Sequence, residues 1–197
     1  MDLLVLGANV VRACWGAVAV VWIALAVREA RIPRAAPIRG SMGLGMVALA
    51  LVTVAATLLV GRSIFAPFTV ETPWVRLMGA GVTVGSTLFA IWARVALGRL
   101  WSVGPRAATD AGLRTGGPYA ITRHPIYTGL LGMLLGSALL GGLGQWIALV
   151  PAGVVVADLK IRSEERLLLA TFPDAYRTYR ERVPRLLPGW REVWRAV

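Results

Sequence analysis

The chain is poor in the residues that most often carry chemistry: one cysteine and one histidine in 197 residues. A single cysteine, Cys14, excludes an internal disulfide and any multi-cysteine zinc site. With one imidazole beside it, a conventional transition-metal centre is excluded on the same grounds, and no metal ligand set is expected. Acidic residues are also scarce, 10 against 21 basic ones, for a formal charge of +11. Internal repeats and low-complexity segments are lacking as well.

What remains is apolar. Hydrophobic residues make up 57% of the chain, and the mean hydropathy of +0.67 lies beyond the range of soluble domains. Apolar runs fall at about Leu3 to Val27, Gly43 to Val60, Val75 to Val95, Ile126 to Leu140 and Gln145 to Ala157. A bilayer crossing takes about 20 residues. The pattern therefore predicts an all-α, polytopic membrane helix bundle of about five transmembrane helices with a cytosolic C-terminal helical segment. Residues 1–95 would hold the first three helices and residues 96–197 the functional half, within one structural domain. The first run lacks a basic start and exceeds a typical leader core, so it reads as a retained helix.

The positive charge is unevenly placed. It falls in Arg28 to Arg39, in Arg94 to Arg123 and in the tail after Lys160, with Arg12, Arg62 and Arg76 elsewhere. Such asymmetry marks membrane topology rather than nucleic-acid binding. It predicts an outside N-terminus, a cytosolic C-terminus and, from the arginine-rich composition, a bacterial inner membrane. Membrane lipids are the expected surroundings and no nucleic acid is expected; the oligomeric state stays open.

The last two apolar runs are joined by "GGLG" and are short, about 15 and 13 residues. Whether the pair crosses or dips in, it forms a hairpin, so the segments before and after it emerge on one side. Gly129, Gly132, Gly136 and Ser137 form a stripe on which helix backbones can approach closely. Beyond Ala157 the chain reads as a charged helix broken near Pro173. A second, amphipathic helix follows, capped by Asp174, with Tyr176, Tyr179 and Val183 on one face; resting on the membrane surface is its plain role.

The hairpin brings "GGPYAITRHPIYTG" (Gly116 to Gly129) to "KIRSEERLL" (Lys160 to Leu168), with "LGRLWSVGP" (Leu97 to Pro105) as a third cytosolic piece. Pro125 at a first helical position places Arg123 and His124 beside a positive helix end, where an anion is favoured. Glu164 and Glu165 suit a cation. Adjacent helix positions point about 100° apart, so one of the pair would bind and the other orient. A zwitterion with a further cationic centre fits such a pocket. S-adenosylmethionine is one such molecule, though charge alone does not single it out.

The stretch "GGPYAITRHPIYTG", a short apolar hairpin, and then "SEERLLLATFPDAYRTYRERVPRLLP" together resemble the isoprenylcysteine carboxyl methyltransferase family, within a wider group that includes the phospholipid methyltransferases. The resemblance covers about Leu97 to Pro188. It implies a cytosol-facing S-adenosyl-L-methionine pocket, with a lipophilic small molecule or lipid as methyl acceptor entering from the bilayer. On that basis Gly117, Tyr119, Arg123, His124, Pro125, Tyr127, Gly129, Glu164 and Glu165 belong to the cofactor side. Lys160, Arg162 and Glu165 belong to the catalytic end, with Lys160 and Arg162 both eligible to hold the acceptor. Pro173 stands where the family usually has glycine.

The acceptor group could be a carboxylate, a phenol or an amine. A carboxylate needs a cationic holder, whereas the others need a proton acceptor, for which His124, Glu164 or a tyrosine would serve. Two other classes compete. One is an NADPH-dependent sterol or enone reductase, which shares a Gly-Pro-Tyr and Arg-His-Pro pattern but usually shows Asn where this chain has Ile126. The other is a non-catalytic scaffold or transporter, and a transporter would bury ionisable residues mid-membrane.

Overall fold

The computed structural model describes residues 3–30, 62–70, 72–98 and 112–186. The expected span Gly43 to Val60, most of "LGRLWSVGP" and the chain after Leu186 lie outside the described residues. The regular elements of the described residues are all helices, with no named strand and one isolated β-bridge between Thr69 and Leu143. The main helices are α1 (Leu3–Ala30), α2 (Pro73–Leu97), α3 (Pro125–Leu140), α4 (Trp146–Thr171) and α5 (Pro173–Arg182). Pro118–Ile121 adds a single helical turn.

Two of these, α1 over Val5–Arg28 and α2, are long and apolar enough to cross a membrane. The apolar α3 is shorter, at 16 residues. Of the five expected spans, the described residues supply two full-length candidates and one short apolar helix. The fifth apolar run and the charged helix expected beyond Ala157 are one continuous helix, α4, which passes through Pro151 and on to Thr171. Charged residues beyond Asp158 keep helical geometry because Leu, Arg and Glu are good helix formers.

The chain divides into two compact units. One comprises Met1–Ala17, Arg39–Thr87 and Leu130–Leu159; the other comprises Val18–Ile38, Leu88–Gly129 and Lys160–Val197.

In the first unit, the hairpin turn between α3 and α4 is built from Gly142, Leu143 and Gly144, all at positive φ (76°, 63° and 47°). Glycine adopts that region freely, so Gly142 and Gly144 make the reversal tight at little cost, and Leu143 is the one side-chain-bearing residue of the turn in that region. The turn is pinned to the chain before α2: Val70 N–H donates to the Gly142 carbonyl at 2.9 Å and Gly144 N–H to that of Phe68 at 3.2 Å. The small-residue stripe packs as its composition predicts. A Cβ on Gly136 would lie 2.6 Å from the Thr83 nitrogen and 2.9 Å from the Gly79 carbonyl oxygen, and one on Gly132 would meet the Ser86 side chain. Hydroxyls buried along this seam turn back on their own helices: Thr83 donates to Gly79 O at 2.8 Å and Ser137 to Met133 O at 2.7 Å. Ser137 Oγ also accepts from Trp15 Nε1 at 3.2 Å, which ties α1 to α3.

The second unit holds the end of α2, the turn at Pro118, the start of α3, the charged half of α4, and α5. Here Gly129 packs so closely on Ala90 that a Cβ would sit 2.9 Å from its backbone.

Candidate functional site

The site begins at a kink. Gly117 has φ 64° and ψ −131°, a conformation that a side chain rarely adopts, and Pro118 then starts the single helical turn, which Thr122 leaves in extended geometry. The peptide then runs through Arg123 and His124 into Pro125, the first residue of α3. Burial is nearly complete: Tyr119 is 8% exposed, Thr122 1% and His124 6%.

The two backbone donors expected to attract an anion are already taken. Arg123 N–H donates to the Pro184 carbonyl at 2.8 Å and His124 N–H to that of Arg185 at 3.2 Å. Thr122 and Thr128 hydroxyls donate to the carbonyls of Arg185 and Leu186, at 2.9 and 2.7 Å. Residues 184–186 therefore form a strap across the start of α3. Charge selection at this corner falls to side chains rather than to the helix end.

Those side chains converge on α4. Arg123 Nη2 lies 3.1 Å from Glu165 Oε1, His124 Nε2 3.3 Å from the same oxygen, and the Tyr176 hydroxyl donates to it at 3.2 Å. Arg185 Nε approaches Glu165 Oε2 at 3.7 Å. Glu164 is held differently: the Tyr127 hydroxyl donates to its Oε1 at 2.6 Å, while Oε2 lies 3.9 Å from His124 Nδ1. The side chain of Glu164 is 36% exposed, that of Glu165 15%. One imidazole thus addresses both glutamates, because its two nitrogens point apart as the adjacent carboxylates do.

Protonation follows from burial. Loss of solvent pushes His124 down to about 4, against the opposing pull of Glu165, so the ring is neutral at pH 7. With Nε2 facing a carboxylate, the proton sits there and Nε2 donates; Nδ1 presents a lone pair to Glu164. Burial also raises the Glu164 carboxyl above its usual range, opposed by the Tyr127 hydrogen bond and by the Lys160 charge. Tyr119 and Tyr176 are pushed up by burial, and Tyr179 up to about 12, so these phenols stay protonated and none serves as a base at neutral pH.

The structure brings together Tyr119, Arg123, His124, Pro125, Tyr127, Glu164 and Glu165, with Gly117 shaping the approach. Gly129 acts in packing. Lys160 is close enough for its charge to act on Glu164, whereas Arg162 is exposed on α4. Two tyrosines read from the sequence as a surface face prove internal: Tyr176 is fully buried, and Tyr179 donates to the Tyr119 carbonyl at 2.6 Å. The three-residue spacing that put them on one helix face was the available signal. Arg94, counted with the basic segment Arg94 to Arg123 at the end of the apolar run Val75 to Val95, is fully buried in the last turn of α2, where its charge acts on Tyr119. Among the described residues no group of three or more His, Cys, Asp or Glu side chains could hold a metal ion.

Among the described residues, two helices long and apolar enough to cross a membrane, a glycine-lined seam and a buried ionic cluster at a helix start make a helical framework with a polar site in one of its units. Residues 74–175 match the phospholipid methyltransferase family, and the chain belongs to it. It is similar to the cobalt-zinc-cadmium resistance protein CzcN of Cupriavidus metallidurans, 34% identical over 94 residues, which is 47% of this chain and 43% of that protein. It is also similar to the protein-S-isoprenylcysteine O-methyltransferase of Schizosaccharomyces pombe, 35% identical over 79 residues, 39% of this chain and 33% of that one. The chain thus aligns with less than half the length of either relative.

Proposed function

We propose that this protein is an integral membrane methyltransferase that uses S-adenosyl-L-methionine and methylates a lipophilic small molecule or lipid, with its site at the cytosolic face. The observation that carries the reading is the 3.9 Å gap between His124 Nδ1 and Glu164 Oε2. Two acceptors face each other there, beside a partly exposed carboxylate. A cationic N–H donor between them, such as the ammonium of a zwitterionic cofactor, resolves that opposition. The donor set therefore fits the cofactor that the family implies.

The cofactor when bound supplies a methyl on a sulfonium, which leaves with the C–S bonding pair retained by sulfur as the acceptor forms its new bond. Everything else falls to alignment and to exclusion of water. Glu164 and His124 anchor the cationic end, and the strap at residues 184–186 together with buried Tyr119 shields the turn from solvent. For an anionic acceptor, Lys160 is better placed than Arg162, since its charge already reaches Glu164.

The test is thermal stability of the purified protein with S-adenosylhomocysteine and, separately, NADPH. A rise with the former alone supports the reading, because a ligand that binds the native state stabilises it. A rise with NADPH alone replaces it with the reductase. Labelled methyl groups appearing in an organic extract of membranes, with a lipid mass gain of about 14 Da per methyl, would then identify the acceptor; a labelled extract matching that of membranes without the protein counts against an enzyme.

A further inference from the structure

The structure assigns opposite duties to the two adjacent glutamates: we infer that Glu164 is the residue that meets the ligand's ammonium, and that Glu165 is a positioning residue, a fixed counter-ion held in place by Tyr176 of α5. The assignment rests on the methyltransferase reading above and divides a pair that the sequence treats as equivalent.

Charge separates the two. Glu165 Oε1 faces Arg123 Nη2, His124 Nε2 and the Tyr176 hydroxyl at 3.1, 3.3 and 3.2 Å, and Arg185 Nε approaches Oε2 at the ionic distance of 3.7 Å. Two guanidinium groups already balance its single charge. A ligand ammonium brought to Glu165 would add a third cation beside Arg123 and Arg185, which like-charge repulsion opposes. Glu164 has the reverse character. Its hydrogen-bond donor is a neutral phenol, Tyr127, on Oε1, its other oxygen faces the lone-pair side of the imidazole, and a single cation, Lys160, acts on it through its charge. It is also more than twice as exposed as its neighbour.

Tyr176 completes the division. Its side chain is fully buried, and its hydroxyl donates to the same oxygen that Arg123 and His124 use. By fixing Glu165 Oε1 it fixes the His124 ring, and the ring orientation in turn decides where Nδ1 and Glu164 Oε2 face each other. Three residues on, the Tyr179 hydroxyl donates to the Tyr119 carbonyl, so α5 grips both α4 and the Gly117 turn. Tyr176 acts through Glu165 and touches no ligand.

The experiment compares binding of S-adenosylhomocysteine and its analogue lacking the amino group, by calorimetry on the full chain in lipid nanodiscs. Wild type, Glu164→Gln, Glu165→Gln and Tyr176→Phe are measured, each with a melting temperature. Wild type should prefer the amino compound by roughly tenfold or more, the scale of one charge-assisted hydrogen bond. Glu164→Gln should lose that preference and melt within a few degrees of wild type. Tyr176→Phe and Glu165→Gln should melt lower, bind both compounds less tightly and shrink the preference without abolishing it, whereas general loosening of the fold would weaken both compounds alike and leave the preference at its wild-type value. If Glu165→Gln fails to fold, Tyr176→Phe carries the comparison. Retention of the preference in Glu164→Gln, or its loss in Tyr176→Phe, overturns the assignment. Wild type binding neither compound overturns the cofactor reading and the ligand half of the assignment with it. The clamp is still decided by melting, since equal stability of Tyr176→Phe and wild type would refute it.

Discussion

The seam between α2 and α3 and the ionic cluster at the start of α3 use the same helix in contrasting ways. Along the seam, order comes from the absence of side chains: Gly132 and Gly136 let backbone meet Ser86 and Thr83, and the polar groups there bond within their own helices. In the cluster, order comes from side chains of four separate segments that satisfy one another across long sequence distances, as His124 does with Glu165 and Tyr179 with Tyr119. The seam tolerates no added atom, whereas the cluster tolerates no missing one. Packing of the first kind makes a rigid frame; the second makes a charge-selective surface, and its strength depends on protonation.

Substitution at Gly136 should separate the two regions most sharply. Gly136→Leu places a side chain against the Thr83 nitrogen and Gly79 carbonyl, backbone atoms that cannot turn aside. A cost above about 4 kcal/mol is expected, enough to prevent folded protein from accumulating in membranes. Normal yield and melting temperature would show that the seam is not close-packed.

Acid should act on the cluster alone. His124 is neutral in the folded protein, with its pKa pushed down to about 4 from an ordinary 6.5. The unfolded chain therefore binds a proton that the folded one refuses between those values. Stability is fully present above about pH 6.5 and falls as pH drops toward 4, by up to about 3 kcal/mol. Glu164, whose carboxyl is raised, works in the opposite sense, so the measurement is the difference between wild type and His124→Gln in melting against pH. Parallel curves would contradict the neutral, buried imidazole.

Arg123→Leu removes both the 3.1 Å contact to Glu165 and the 3.0 Å hydrogen bond from Nη1 to the Arg180 carbonyl. A loss of about 2 kcal/mol in unfolding free energy is expected, read by denaturant unfolding against wild type. Tyr127→Phe, which takes one hydroxyl from Glu164, should cost about 1 kcal/mol or less, because that carboxylate is partly solvated. An effect as large as that of Arg123→Leu would mean that Glu164, too, is a buried structural group.

Much of the frame was legible beforehand because it depends on periodicity and on local geometry. The apolar lengths of α1 and α2, the "GGLG" reversal, the glycine stripe and the break before α5 all follow from residue type within a few positions. Helix was expected on both sides of Ala157, but that the two form one continuous α4 came only from the structure, since the sequence marks the join by a change in polarity. The helix backbone is indifferent to that change.

The site was half legible. Arg-His-Pro and the twin glutamates stood out as charge at the ends of apolar runs, and the hairpin required them to emerge together. Tyr176 and Tyr179 looked like the face of a surface helix, since nothing local distinguishes a face turned toward lipid from one turned inward. Arg94 looked like one more charge of the basic segment Arg94 to Arg123 for the same reason.

The order of residues alone determined that this chain is helical, suited to a membrane, and charged at one set of helix ends, because those properties sum over neighbours. Which glutamate is clamped and which is open, the neutrality of His124 and the strap over the start of α3 were decided only by tertiary packing. Each depends on burial and on hydrogen-bond partners from 37 to 63 positions away along the chain, and desolvation is a property of the assembled surroundings, not of the residue.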